Sequence, residues 1–337
     1  MSEQSPDAER QNSTPQDFSS IELPPWPPLQ RIKNNLIFIV LRLLFKALER
    51  IPFPICRKIA KLLGIQARLI AKKEERRAIA QVSSHYSNGD NVEARGLVEK
   101  MFVHLAMASV EAIHCDKLIT QDPTLKLTAE QRTLLDDAVA EKKGVIAVTG
   151  HIGPWELLAQ VLAKEGYPIT SVAKPTYDPR LTHWVDQWRG RHGMEVLWRG
   201  TNSSPKEILR TFKRQRILGL LIDQDTKVPG VFSPFFNQEA WTPSAPALFA
   251  LRTQAPIIVG WIHRTGNQYK IHLERFEYKH QEMSDEAILS LTTALNQRLE
   301  EAIRMFPEQW VWLHSRWKTR PQSRPTPGKK CDFGLKE

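Results

Sequence analysis

The chain has 337 residues, enough for one large domain or two small ones, and its 41% hydrophobic and 25% charged residues describe a globular protein and not a disordered one. Lys and Arg outnumber Asp and Glu by 47 to 37, and the net charge of +10 asks for an anionic partner. Nucleic acid, an anionic membrane, a phosphorylated substrate and an acidic carrier protein all satisfy that bias, and charge alone does not choose among them. The three cysteines, Cys56, Cys115 and Cys331, stand far apart without CxxC or CxxH spacing, which argues against a zinc site or a disulfide framework and for a reducing setting.

Residues 1–30 are polar and Pro-rich with no apolar run, so they read as a disordered leader and not as a cleavable signal peptide. From Leu36 to Leu48 the sequence LIFIVLRLLFKAL is strongly apolar, but a helix of that length reaches only about 20 Å, short of the ~20 residues that cross a bilayer core. Arg42, Lys46 and Arg50 fall on one side at helical spacing. After Pro52 and Pro54 a second stretch sets Ile55, Ile59, Leu62 and Leu63 against Arg57, Lys58, Lys61 and Arg68. Two consecutive basic amphipathic helices point to a segment, residues 31–71, that lies in a membrane interface, although core helices of a soluble bundle would share the pattern.

The stretch 93–115 reads as an ordinary buried helix in which His104 and His114 are structural. Beyond Leu127 the pattern alternates. Helix 129–142 ends at Gly144, and Val145–Thr149 is a wholly apolar run of the kind found in buried parallel strands. Further strands are expected at 169–173, 218–222, 256–262 and 269–273, and helices at 180–192, 204–214, 243–253 and 286–305. Thr242 and Pro243 read as the N-cap and first position of one of these helices. Strands alternating with helices imply an α/β sandwich around a central sheet, the main domain over residues 72–325, followed by a basic tail, 326–337.

Three segments carry chemistry. The first, Thr149-Gly-His-Ile-Gly-Pro-Trp-Glu156, puts His151 just off a buried strand and Glu156 in the first turn of the next helix. A carboxylate folded back onto one imidazole nitrogen fixes the tautomer and makes the other nitrogen a better general base for an alcohol. The second is an apolar strand ending in Asp223-Gln224-Asp225, then a Pro-Gly turn and the aromatic VFSPFF. Asp223 and Asp225 could start a metal site, but no further ligand is spaced to complete one, and no cofactor is expected. The third, residues 307–321 (PEQWVWLHSRWKTRP), mixes three tryptophans with four basic residues, a composition that fits a nucleic-acid surface, an interfacial aromatic belt or a phosphate-binding end.

Taken together and in order, these segments resemble the lipid A late acyltransferase family, the lauroyl and myristoyl transferases that act on Kdo-lipid A. Its H-x4-D/E motif stands here as His151 and Glu156, its DQD…GVF-x-PFF block as Asp223–Asp225 and Gly230–Phe236, and its PEQ…WLH-x-R-x-K-T-R-P close as Pro307–Pro321. The resemblance spans about residues 36–321. It implies a glycerol-phosphate-acyltransferase-like α/β domain with N-terminal membrane-anchoring helices, placed on the cytoplasmic face of a bacterial inner membrane. It also implies an acyl carrier protein thioester as donor and an anionic glycolipid as acceptor. By the same resemblance His151 is the general base and Glu156 its charge partner. Arg191 is a contact to acceptor phosphate or carbonyl, while Asp223 and Asp225 belong to the substrate-binding loops, with Asp225 supporting them. Related actinobacterial enzymes acylate phosphatidylinositol mannosides, so the acceptor stays open. A hydrolase with the same dyad, and a basic binding protein without chemistry, are the competing readings. No GxSxG is present to form an acyl-enzyme, and nucleic acid is not the expected partner.

Overall fold

A computed structural model describes residues 21–200, 205–279 and 282–321. Most of the polar leader, Asn12, Asn202, Cys331 and the tail 326–337 lie outside the described residues.

The protein begins with two helices, α1 (Pro28–Arg50) and α2 (Phe53–Ile70), followed by α3 (Lys72–His85) and α4 (Asn91–Ile113). Helices α5 (Cys115–Gln121) and α6 (Ala129–Ala140) lead into β1 (Val145–Thr149), α7 (Trp155–Lys164), β2 (Ile169–Ala173) and α8 (Pro179–Gly190). Next come β3 (Glu195–Trp198), α9 (Pro205–Lys213), β4 (Ile217–Leu221) and the hairpin β5 (Gly230–Phe235) and β6 (Gln238–Pro243). The chain closes with α10 (Ala245–Thr253), β7 (Ile257–Thr265), β8 (Gln268–Phe276) and α11 (Asp285–Met305).

Six strands form one sheet in the order β3-β2-β4-β1-β7-β8, parallel throughout except for β8, which returns antiparallel on β7. The parallel strands are short apolar runs because both of their faces are covered. Ile146, Val148, Leu218 and Val259 point to one core with α3, α4, α10 and α11, which includes Met101, Phe249 and Leu295. Val145, Ile217 and Ile258 point to the other, with Leu118, Leu135, Leu157, Val161 and Trp188 from α5 to α8. The protein is therefore the α/β sandwich read from the sequence, with a mixed central sheet.

The sequence pattern placed most elements within a few residues. The edge strand β3 was not among the expected strands, and three further things differ. The helix expected to be capped by Thr242 and Pro243 begins later, at Ala245; both residues end β6 instead, where Val231 pairs with Thr242 and Gly230 with Pro243. The β5–β6 hairpin was hidden because its aromatic residues and prolines do not alternate in the way a two-sided strand does. Helix α1 begins at Pro28, inside the segment read as leader, and Pro at the first helical position suits that start.

Helices α1 and α2 attach to the sandwich by specific contacts. Cys56 and Ala60 of α2 bury against Met107 and Val110 of α4. Arg180 of α8 donates to Asn35 Oδ1 at 2.8 Å and lies over the Phe38 ring at 4.5 Å. Their other faces expose Leu36, Leu43, Leu44, Leu62, Leu63 and Leu69. Among the described residues no helix is long and apolar enough to cross a membrane.

Candidate active site

The register of two neighbouring strands builds the site. β1 and β4 are parallel, with Thr149 opposite Leu221, and two further residues along each strand bring His151 and Asp223 side by side. Loops leaving the C-terminal ends of adjacent parallel strands are where α/β sheets gather their reactive groups. The Asp223 carboxylate is fully buried and accepts three hydrogen bonds. Its Oδ1 meets His151 Nδ1 at 2.9 Å, and its Oδ2 accepts from the His151 backbone N–H at 2.7 Å and from Trp310 Nε1 at 2.8 Å. Burial alone would raise its pKa, but the charge and hydrogen bonds of His151, with the Trp310 donor, hold it well below the usual carboxylate range. An ionised carboxylate only accepts, so Nδ1 carries the proton and Nε2 is the ring nitrogen left for chemistry.

Two glycines allow this turn. A Cβ on Gly150 would sit 3.1 Å from the Asp223 carboxylate, and Gly153 has φ +58° with its Cβ position 2.1 Å from the Ile262 carbonyl oxygen. The turn is also stitched to the C-terminal segment. Gly153 N–H donates to the Gln309 carbonyl at 2.8 Å, Ile152 bridges Trp310, and the Gln309 amide exchanges two hydrogen bonds with the Arg264 backbone of β7. The third sequence segment thus locks the His151 turn from behind, and Trp310, Trp312 and Trp317 are buried rather than displayed on a surface.

Glu156 stands in the first turn of α7, as expected, but its carboxylate does not meet the imidazole. It is held in a fork by Arg189 from the last turn of α8, with Nε to Oε2 at 3.1 Å and Nη2 to Oε1 at 2.5 Å. The strand-turn-helix path carries Glu156 past the ring, and the Trp155 ring stands edge-on to His151 at 5.0 Å. Arg191 points elsewhere: it caps α8 and pairs with Asp116 at 3.0 Å and Glu49 at 3.6 Å. Asp225 does not join Asp223 around a common point. Its Oδ2 accepts from Thr319 N–H at 2.8 Å, and its backbone carbonyl accepts from His314 Nε2 at 2.9 Å and Lys318 Nζ at 2.8 Å.

His151, Glu156 and Arg189 all line one cavity of about 620 Å³. Apolar side chains dominate it. Its lining falls into two lobes, one with Leu135, Leu158 and Ile217 from the core on the α7 side of the sheet, the other with Ile208 and Phe249 from the core on the opposite face. Lys174 and Arg199 line it as well, so the cavity joins an apolar interior to basic groups and one histidine–carboxylate pair. Asp223 as ring partner and Arg189 as Glu156's partner were not singled out in the sequence. The signal for the first was present: Val145 to His151 and Ile217 to Asp223 are equal steps along two apolar strands.

The family model for bacterial lipid A biosynthesis acyltransferase matches residues 28–319. The chain is 25% identical over 288 residues to a lipid A biosynthesis lauroyltransferase of Escherichia coli, covering 82% of this chain and 90% of that protein. It is 26% identical over 278 residues to a lipid A biosynthesis palmitoleoyltransferase of the same organism, covering 81% and 88%. A phosphatidylinositol mannoside acyltransferase of Mycolicibacterium smegmatis is 25% identical over 179 residues, covering 52% of this chain and 57% of that protein.

Proposed function

From the premise that the chain belongs to the bacterial lipid A biosynthesis acyltransferase family, we propose that it transfers a fatty acyl chain from an acyl carrier protein thioester to a hydroxyl of a phosphorylated glycolipid, a lipid A precursor. The observation that carries this reading is the His151–Asp223 pair at the wall of an apolar cavity large enough for an acyl chain.

The acceptor hydroxyl meets the thioester carbonyl above the end of β1. His151 Nε2 takes the hydroxyl proton as the oxygen attacks, and Asp223 holds the ring in the Nδ1–H tautomer and stabilises the imidazolium. The tetrahedral oxyanion is met by the positive end of α7 and by the Arg189 guanidinium, which Glu156 fixes in place. Collapse expels the thiolate of the carrier's prosthetic arm, which recovers the proton from His151, and no acyl-enzyme forms. In this reading Glu156 serves the reaction through Arg189, and the anion contact first sought at Arg191 falls to Arg189, Lys174 and Arg199, the cations lining the cavity. Asp225 keeps the loop after β4 closed against the C-terminal segment.

The exposed faces of α1 and α2 lie in the headgroup region of the bilayer, on the cytoplasmic face of the inner membrane, and bring the mouth of the cavity to lipid acceptors. The test is acyl transfer from a labelled acyl carrier protein in detergent, with wild-type and His151→Ala protein side by side. Transfer to a Kdo-lipid IV-type acceptor that disappears in the variant is the expected result. Transfer only to a phosphatidylinositol mannoside would keep the mechanism and change the acceptor. Water as the sole acceptor would make the protein a hydrolase, and no turnover with either would remove the chemistry.

A further inference from the structure

Across the middle of the sheet, three strands in register carry almost no side chain on the face beneath α7: Ser171 of β2, Gly219 of β4 and Ala147 of β1. Central strands buried on both faces ordinarily carry branched apolar residues here, as Ile217 does two residues earlier. Gly219 is the odd member. Its φ is not in the left-handed region, and a Cβ built on it would meet nothing nearer than the Thr170 carbonyl oxygen at 3.8 Å. Neither backbone conformation nor close packing requires glycine at this position, and glycine inside a strand lowers stability. What the missing side chain leaves is space. All three residues line the cavity, with Ala159 and Leu162 of α7 opposite and Leu135 at the inner end.

Resting on the acyl-transfer reading, we propose that Gly219 is the specificity-determining position for acyl chain length. The chain runs from His151 under α7, passes along the sheet over Gly219 between Ala147 and Ser171, and ends against Leu135 and Ile217. From Leu221 to Ile217 this path follows the strand for about 13 Å at ~3.3 Å per residue, and Gly219 lies at its midpoint. A side chain at 219 divides the lobe and leaves only the outer half for the acyl chain. The reaction at His151 lies two turns of the pleat away and is untouched.

The experiment uses the full chain with Gly219→Ala, Gly219→Val and Gly219→Leu. Thermal unfolding reports folding, transfer rates are measured with acyl thioesters of graded length, and binding of free fatty acids of the same lengths gives a readout independent of turnover. The expected result is a graded one. Preference moves to shorter chains from Ala to Val to Leu, with the long-to-short rate ratio falling by at least about tenfold for Leu, the discrimination that a single methylene in an apolar pocket can supply. Binding shifts in the same order, and short-chain transfer persists. A length profile unchanged across folded variants, or equal loss at every length, overturns the proposal. So does a profile that moves only with Ile208→Phe, which would put the chain in the opposite lobe. Wild-type protein that neither transfers nor binds any acyl chain would instead defeat the acyl-transfer reading itself.

Discussion

Asp223 accepts a hydrogen bond from the His151 ring and another from the His151 main chain, so one carboxylate fixes both the tautomer of the imidazole and the turn that presents it. With Trp310 as third donor, every contact to the carboxylate comes from an N–H group, and both oxygens must accept. An amide cannot do this. In Asp223→Asn, one orientation turns NH2 toward two N–H donors, and the other forces Nδ1 to accept, which places the proton on Nε2 where the base needs a lone pair. Turnover is expected to fall about 10³- to 10⁴-fold, as for comparable histidine–aspartate pairs. Single-turnover kinetics with a folded variant check this; turnover that survives nearly intact would remove Asp223 from the mechanism.

Glu156 and Arg189 form one unit, and their loss should be felt once. Glu156→Gln frees a guanidinium that Arg189→Met removes altogether, so the double variant should be little worse than the poorer single one. Because Glu156 does not touch the imidazole, Glu156→Gln should lower kcat while leaving the pH profile of kcat/KM in place. A displaced profile would mean that Glu156 acts on His151 after all, as the sequence spacing suggested. Purely additive losses would separate the two residues.

How much of this was legible beforehand follows from where each signal lies. Strands β1 and β2 were read to the residue because wholly buried strands leave unbroken apolar runs. The position of His151 just beyond the end of β1 was legible for the same reason, since it follows such a run directly. Its partner was misread because five residues of sequence look like proximity, whereas the partner comes from 72 residues away through strand pairing. Arg189 and Arg191 are two apart on a helix end and look alike in sequence; only the packing of α8 shows which one faces the cavity and which one faces Asp116. Nothing in the tryptophans of 307–321 announced that they are core, because Trp310, Trp312 and Trp317 are buried by the hairpin and the site loops, not by their own element.

The exposed apolar faces of α1 and α2 predict binding to lipid vesicles. Leu36→Glu and Leu62→Glu alter side chains that are 61% and 57% exposed, so folding should be unaffected. Each removes an apolar group worth about 1.5–3 kcal/mol when buried, so affinity for anionic vesicles should drop roughly tenfold or more per site. Sedimentation with phosphatidylglycerol vesicles reads this directly. Equal binding by both variants and the wild type would detach these helices from the membrane.

Stability should also depend on one histidine outside the site. His263 of β7 stacks on Phe306 at 3.7 Å, is buried, and has no hydrogen-bond partner at Nδ1. Burial, then the charges of Lys270 and His272, lower its pKa from 6.5 to about 4. The folded state therefore stays unprotonated where the unfolded chain takes a proton. This contribution is present above pH 6.5 and is lost as pH falls toward 4, at up to about 1.4 kcal/mol per pH unit. Glu111, which burial pushes up from 4.5 to about 7 against the pull of Arg264, acts in the opposite sense over much of the same range, and His104, which burial lowers to about 3, acts in the same sense, so the wild-type curve mixes several groups. The clean quantity is a difference. His263→Leu keeps an apolar body against Phe306 without the titration, and its melting temperature should gain on wild type steadily as pH is lowered from 7 to 4.5. Parallel curves would show that His263 takes up its proton in the folded protein as readily as in the unfolded chain.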